Sequence, residues 1–264
     1  MCKKRFLIPR VPVLFFLILF CVSVPFAAHT AEQKIENSLP QEKLARYNDS
    51  FDTFRDDLWE KSAWAFEEKA KENFKYADVT IEEGQIKIQT KVGSFSKGAL
   101  GARYSLKGDF DIQIDCHVDF LKEITDMDQQ VGFSVVRRGK DKKDIQFITL
   151  LVRKNADTGD RVIDVVIFER GRFKLAGRHY TENFHGALRM VRAGKKLSAR
   201  YKKEGQPEWK TICTLSFTDR EVFFGFLVQN FKQMSTTIKA LAPFTARFDN
   251  FRINGAQGII EEEI

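Results

Sequence analysis

Gly108-Asp109-Phe110-Asp111-Ile112-Gln113-Ile114-Asp115-Cys116-His117-Val118-Asp119-Phe120 alternates apolar and polar residues almost without a break. Near the C-terminus, Phe244-Thr245-Ala246-Arg247-Phe248-Asp249-Asn250-Phe251-Arg252-Ile253-Asn254-Gly255 comes close to the same pattern. Successive side chains of a strand point to opposite faces, so each stretch carries an apolar row on one face and a charged row on the other. Strands of this kind pack one face on a core, and antiparallel sheets are their usual setting. The expected class is all-β, with two antiparallel sheets packed face to face.

Working outward, strand-like runs recur about every 8 to 12 residues, the spacing of a sandwich or barrel. Runs at 76–81 and 86–92 flank Glu82-Glu83-Gly84-Gln85, a hairpin signal. A central meander follows over 131–180, and a hairpin across Ala193-Gly194-Lys195-Lys196. About thirteen to fourteen strands result, more than the roughly seven to nine of an immunoglobulin-type sandwich. Phe dominates the aromatics, 25 residues against five Tyr and three Trp. Phe rings fill the space between facing sheets without demanding a polar partner. Residues 51–58 read as the first strand, and 63–77 as either a helical face or an irregular excursion.

The N-terminus reads as a targeting segment. Lys3, Lys4, Arg5 and Arg10 precede an apolar run over 11–26, and Ala27-Ala28-His29-Thr30-Ala31 supplies small residues. This is the layout of a secretory signal peptide. The apolar run, broken by Pro12 and Pro25, is short of the roughly 20 residues a spanning helix needs. The expected organisation is a signal peptide at 1–31, a polar arm at 32–48, a sandwich domain at 49–256 and a tail at 257–264. The product is expected in the periplasm or outside the cell, held at a membrane only if the signal stays uncleaved. Removing the four basic residues lowers the formal charge from +7 to about +3. The remaining Lys pairs, such as Lys195-Lys196 and Lys202-Lys203, read as solvated hairpin tips, so a nucleic-acid partner is not expected.

The order of short motifs resembles the concanavalin A-like lectin/glucanase superfamily. The motifs are a Trp-containing N-terminal segment, an x-Gly-x-Ile-x-Ile hairpin at 83–88, and Leu106-Lys107-Gly108-Asp109-Phe110-Asp111. Leu188-Arg189-Met190-Val191-Arg192, the segment 201–209 and Phe248-Asp249-Asn250-Phe251 complete the series. Within the superfamily the chain is most similar to laminin-G-like secreted bacterial domains. The resemblance covers residues 50–255 and implies a jelly-roll sandwich whose concave sheet binds glycans in relatives of known function. It also implies one structural Ca²⁺, held by Asp249 with backbone carbonyls of the Glu83-Gly84 hairpin. Read without the resemblance, Asp249 and Asn250 serve as well to satisfy strand-end backbone groups.

A glycosidase needs two carboxylates flanking the scissile bond. The Glu-x-Asp-x-x-Glu motif of the superfamily's glucanases is absent, and the acid cluster of Glu123, Asp126 and Asp128 has the wrong spacing. Asp109, Asp111, Asp115 and Asp119 share one strand face and are expected to meet solvent, with Arg and Lys on neighbouring strands. His179, His185 and Glu182 read as surface residues rather than metal ligands. Trp209, Tyr180 and Trp64 are the candidate ligand platform. Cys116 and Cys213, both in apolar rows, form either an inter-strand disulfide or two buried thiols. The expected function is a non-catalytic exported module binding carbohydrate, such as polysaccharide or cell-envelope glycan, or another extracytoplasmic polymer. The alternatives are a glycoside hydrolase-like enzyme of the same fold and a structural or protein-interaction domain.

Overall fold

The alternating stretch at 108–120 forms most of a 15-residue strand, Tyr104–Val118, in the computed structural model. Phe110, Ile112, Ile114, Cys116 and Val118 are each at most 1% exposed, and they make one continuous apolar row. The structure describes residues 34–61, 77–93, 96–122, 127–139, 141, 144–231 and 239–261.

In chain order, a short helix α1 (Gln41–Ala45) is followed by β1 (Trp59–Lys61), β2 (Ala77–Glu82), β3 (Gln85–Thr90) and β4 (Ser96–Ala102). Next come β5 (Tyr104–Val118), β6 (Asp128–Arg137), β7 (Gln146–Lys154), β8 (Arg161–Glu169) and β9 (Arg172–Tyr180). The series ends with β10 (Phe184–Ala193), β11 (Lys196–Lys203), β12 (Lys210–Ser216), β13 (Phe223–Phe231) and β14 (Thr245–Glu261). They form two seven-stranded sheets, β1-β4-β13-β6-β7-β8-β9 (sheet I) and β12-β11-β10-β5-β14-β3-β2 (sheet II). Neighbouring strands run antiparallel, as the alternation predicts. The β2–β3 hairpin turns where expected. Glu83 at φ 54° and Gly84 at φ 71° give the two left-handed residues that a two-residue hairpin loop requires.

The interruption in the C-terminal pattern has a structural meaning. Asp249 lies opposite Asp115 and Arg252 opposite Gln113, so Asn250 and Phe251 bulge out of the β14–β5 ladder. Asn250 takes φ 48°, a left-handed conformation that Asn tolerates better than most residues. The bulge frees the Phe251 backbone to pair with Asp49, N–H to carbonyl at 2.9 Å and 3.0 Å. It also drives the Phe251 ring into the core, 5.1 Å from Trp59 and stacked 5.3 Å from Phe224.

Three boundaries differ from the sequence reading. The arm expected at 32–48 is packed onto the sandwich, with Ile35, Leu44 and Tyr47 buried and Leu39 N–H bonded to the Ala256 carbonyl at 2.7 Å. The tail expected from 257 is strand as far as Glu261, with Gly258 to Glu261 paired to β5. Residues 51–58 make turns rather than a strand. The signal peptide and most of the ambiguous 63–77 segment lie outside the described residues.

Candidate functional site: a groove on the outer face of sheet I

Along β7 the even-numbered residues Ile148, Leu150 and Val152 are fully buried against sheet II. The odd-numbered Phe147, Thr149, Leu151 and Arg153 must therefore face outward. There they join Gln130 of β6, Asp164 and Val166 of β8, Phe173, Leu175 and Arg178 of β9, and Leu227 and Gln229 of β13. Together these residues line a groove of about 380 Å³.

The groove has two chemically distinct ends. At one, cross-strand register sets Phe147, Phe168 and Phe173 side by side. Phe147 and Phe168 stack at 4.9 Å, and the Phe173 ring lies 4.9 Å from Phe168. Phe173 is nevertheless 61% exposed and Leu175 53%, so an apolar shelf faces solvent. At the other end, Leu151, Asp164 and Arg178 stand in one row. Asp164 is completely buried and is held by Arg178 through two parallel bonds, Nε to Oδ1 at 2.7 Å and Nη2 to Oδ2 at 2.9 Å. Arg153 Nε sits 2.9 Å from Asp164 Oδ2 as a second ion pair. The bonded Asp164 carboxylate raises the Arg178 pKa above its ordinary value. Asp164 is the one carboxylate among the described lining residues.

The candidate ligand residues are dispersed. Tyr180 ends β9 two residues beyond Arg178 and is 63% exposed, but it does not line this groove. Trp209 belongs to the opposite side of the molecule. Its ring covers the Arg189 guanidinium at 5.1 Å and the Lys202 ammonium at 5.2 Å, so it serves as a lid on a polar network. Trp64 lies outside the described residues.

The acids of β5 also depart from expectation. Asp111 is buried in a bidentate pair with Arg189, itself buried, and accepts from Asn254 Nδ2 at 3.1 Å. The Arg partner is as expected, but the solvent expected at Asp111 is excluded, because its carboxylate is buried. Burial raises the pKa of Asp115, which also faces Asp249.

The calcium site that the resemblance implies would draw on Asp249 and the Glu83-Gly84 hairpin. Asp249 Oδ1 accepts the Asn250 N–H at 2.6 Å, which stabilises the bulge. Beside Gly84 lies Asp52, whose Oδ2 accepts the Ser50 hydroxyl at 2.7 Å. Calcium needs about six to eight oxygens. Among the described residues no three His, Cys, Asp or Glu side chains converge, so an ion here would take most of its oxygens from backbone carbonyls and water.

Cys116 and Cys213 are free thiols. β10 and β11 separate their strands. Three strand spacings of about 4.8 Å put them at least about 14 Å apart, twice the reach of a disulfide. Burial raises both thiol pKa values, which disfavours the reactive thiolate. His185 stacks on His117 at 5.4 Å, His179 lies against Tyr201 at 5.0 Å, and Glu182 pairs with Arg161. No common site unites His179, His185 and Glu182.

No protein-family model matches the sequence, and no curated protein matches it. Solved structures do. An endo-acting O-glycanase of the human gut microbiota aligns with a TM-score of 0.57 at 10% identity, over 82% of this chain and 99% of its own. A pseudo β-1,3-glucanase of Mycobacterium tuberculosis aligns with a TM-score of 0.55 at 10% identity, over 82% and 98%. A legume lectin-like domain of Entamoeba histolytica aligns with a TM-score of 0.51 at 11% identity, over 88% and 100%. This is the concanavalin A-like lectin/glucanase fold. At such identities the likeness establishes the jelly-roll sandwich and nothing of its ligand.

Within this concanavalin A-like sandwich, the groove residues Arg153, Asp164, Phe173, Leu175 and Arg178 escaped the sequence reading. One signal was present. Asp164 is a lone acid inside the apolar run Val162-Ile163-Asp164-Val165-Val166-Ile167-Phe168, and a charge placed there needs a partner.

Proposed function

We propose that this chain is an exported, non-catalytic module that binds a glycan in the sheet I groove. The observation that carries the reading is the exposed Phe173–Leu175 shelf set beside Gln130, Gln229, Arg153 and Arg178. Apolar shelves take the C–H faces of sugar rings, and amide and guanidinium groups take their hydroxyls. The groove volume falls in the range of roughly 300 to 1,000 Å³ typical of ligand sites. Lectin-like and glycan-cleaving proteins among the structural neighbours support a carbohydrate ligand.

Binding without cleavage is favoured by the acid count. Hydrolysis requires two carboxylates, about 5 Å apart for retention and more for inversion. The described groove residues offer Asp164 alone, buried and neutralised by two guanidiniums. Export is supported by the signal-peptide layout of residues 1–31.

The test is a polysaccharide pull-down followed by calorimetry, with a reducing-sugar assay on the same mixtures. The expected result is retention on at least one polymer, competition by its oligosaccharides and no release of reducing ends. Release of reducing ends by the purified protein would overturn the non-catalytic part, and failure to bind any polymer would overturn the whole. N-terminal sequencing of the exported chain checks the leader.

A further inference from the structure

We infer that the groove selects acidic glycans, polymers bearing carboxylate or sulfate groups, and that Arg153 is the residue that reads the charge. The inference rests on the glycan reading of the same groove and adds its ligand class.

The argument begins with charge balance. Two guanidiniums converge on one buried carboxylate. Arg178 satisfies both oxygens of Asp164 by itself. Arg153 Nε lies 2.9 Å from Oδ2 without hydrogen-bond alignment and has no hydrogen-bond partner among the described residues. Its terminal nitrogens make no hydrogen bond among the described residues, yet its side chain is only 19% exposed and lines the groove. A guanidinium is a five-donor fork suited to carboxylate and sulfate oxygens. Held at the edge of a partly desolvated floor with a surplus of one positive charge, it favours an anion over a neutral hydroxyl. Lys174, the third cation of the lining, is already paired with Glu169 and is well exposed, so screening leaves it little influence.

Spacing gives the ligand a minimum size. From Phe168, beside the Phe173 shelf, to Asp164 is four residues of β8, about 13 Å at strand rise. A sugar ring lying on Phe173 and an acidic group at Arg153 therefore belong to different units of one oligosaccharide.

The test compares calorimetric affinities of the purified protein for a neutral β-glucan oligosaccharide, an oligogalacturonate and a sulfated galactan oligosaccharide. The expected result is that one acidic ligand binds at least about tenfold more tightly than the neutral one, with a preference that shrinks as salt rises. Which acidic ligand wins identifies carboxylate or sulfate as the group read. Arg153→Gln should bring acidic and neutral affinities within about twofold of each other, chiefly by weakening the acidic ligand. Arg153→Lys should retain part of the preference. Melting curves verify that both variants fold, since Arg178 still neutralises Asp164. The double variant Lys195→Gln/Lys196→Gln, on a distant hairpin, should leave the preference intact. Equal affinities for acidic and neutral ligands overturn the inference and leave the glycan reading standing. So does a preference that the distant lysine variant weakens as much as Arg153→Gln does. Absence of binding to all three ligands and to every polymer in the pull-down overturns both.

Discussion

Trp59 donates its indole Nε1–H to Asp49 Oδ2 at 2.7 Å, and both residues are buried. The other oxygen, Oδ1, accepts the Phe51 N–H at 2.8 Å, and the Asp49 backbone bridges Phe251 of the β14 bulge. One residue thus ties the N-terminal arm, the first strand of sheet I and the last strand of sheet II. Burial raises its pKa, and the two N–H donors pull the other way. Asp49→Ala strands two buried donors, each costing about 1 to 3 kcal/mol. The expected loss is about 3 kcal/mol in chemical denaturation, and Asp49→Asn, which keeps an acceptor oxygen, should lose less. A loss under about 1 kcal/mol for the alanine variant would mean that the arm is held by its apolar contacts alone.

The thiols make a second prediction. A native disulfide would be worth about 2 to 5 kcal/mol, so reduction would lower the melting temperature. With Cys116 and Cys213 three strands apart, reductant should leave the melting temperature unchanged. Thiol titration of the processed chain should find Cys116 reactive only after unfolding.

These two cases mark what the residues revealed. Local periodicity exposed β5, because Phe110, Ile112, Ile114, Cys116 and Val118 all face one core and nothing else competes for them. The Glu83-Gly84 turn was legible for the same reason, since its geometry is set by the two residues themselves. The arm was not legible. Leu44 and Tyr47 are buried by strands distant in sequence, and no pattern within residues 32–48 anticipates that. The groove was hidden in another way. Phe173 and Leu175 alternate like any half-buried strand, and only the strand order, which leaves β9 at the sheet edge, turns their face into a shelf. Trp209, singled out as an aromatic, follows the opposite logic, since a cation network beneath it determines its role.

Asp115 gives a pH-dependent prediction. Its folded pKa is raised, chiefly by burial and also by Asp249 opposite, so the folded chain holds this proton more tightly than the unfolded chain does. Stability from this group is therefore greatest below the usual carboxylate value of about 3.9 and declines as pH rises through the raised value. Asp115→Asn should remove the penalty. The variant is expected to exceed the natural protein at neutral pH by about 0.5 kcal/mol, the cost of like charges directly opposite on paired strands. The gap should close near about pH 3. A variant less stable at neutral pH would mean that the Asn250 bond to Asp115, at 3.1 Å, outweighs the repulsion.

Asp164 separates a structural acid from a catalytic one. Asp164→Asn leaves two guanidiniums without their counter-charge, and breaking a buried pair costs about 3 to 5 kcal/mol. Because Arg153 and Arg178 keep some solvent contact, the expected loss is near the lower limit, about 3 kcal/mol. A catalytic acid behaves in the opposite manner, since its replacement abolishes turnover and leaves stability nearly untouched. Denaturation and reducing-sugar release measured on the same variant decide between the two.

Phe173 and Trp209 together test where the ligand sits. Phe173 is largely exposed at the groove edge, so Phe173→Ala removes a shelf without opening the core. The expected result is glycan affinity lower by about tenfold, as for an aromatic anchor worth roughly 1.4 kcal/mol, with the melting temperature unchanged. Trp209→Ala should reverse this. The indole covers Arg189 and Lys202 on the far sheet, and losing such cation–π contacts costs about 1 kcal/mol of stability. Glycan affinity should not move. If Trp209→Ala weakens binding and Phe173→Ala does not, the ligand lies on sheet II and the groove assignment is wrong.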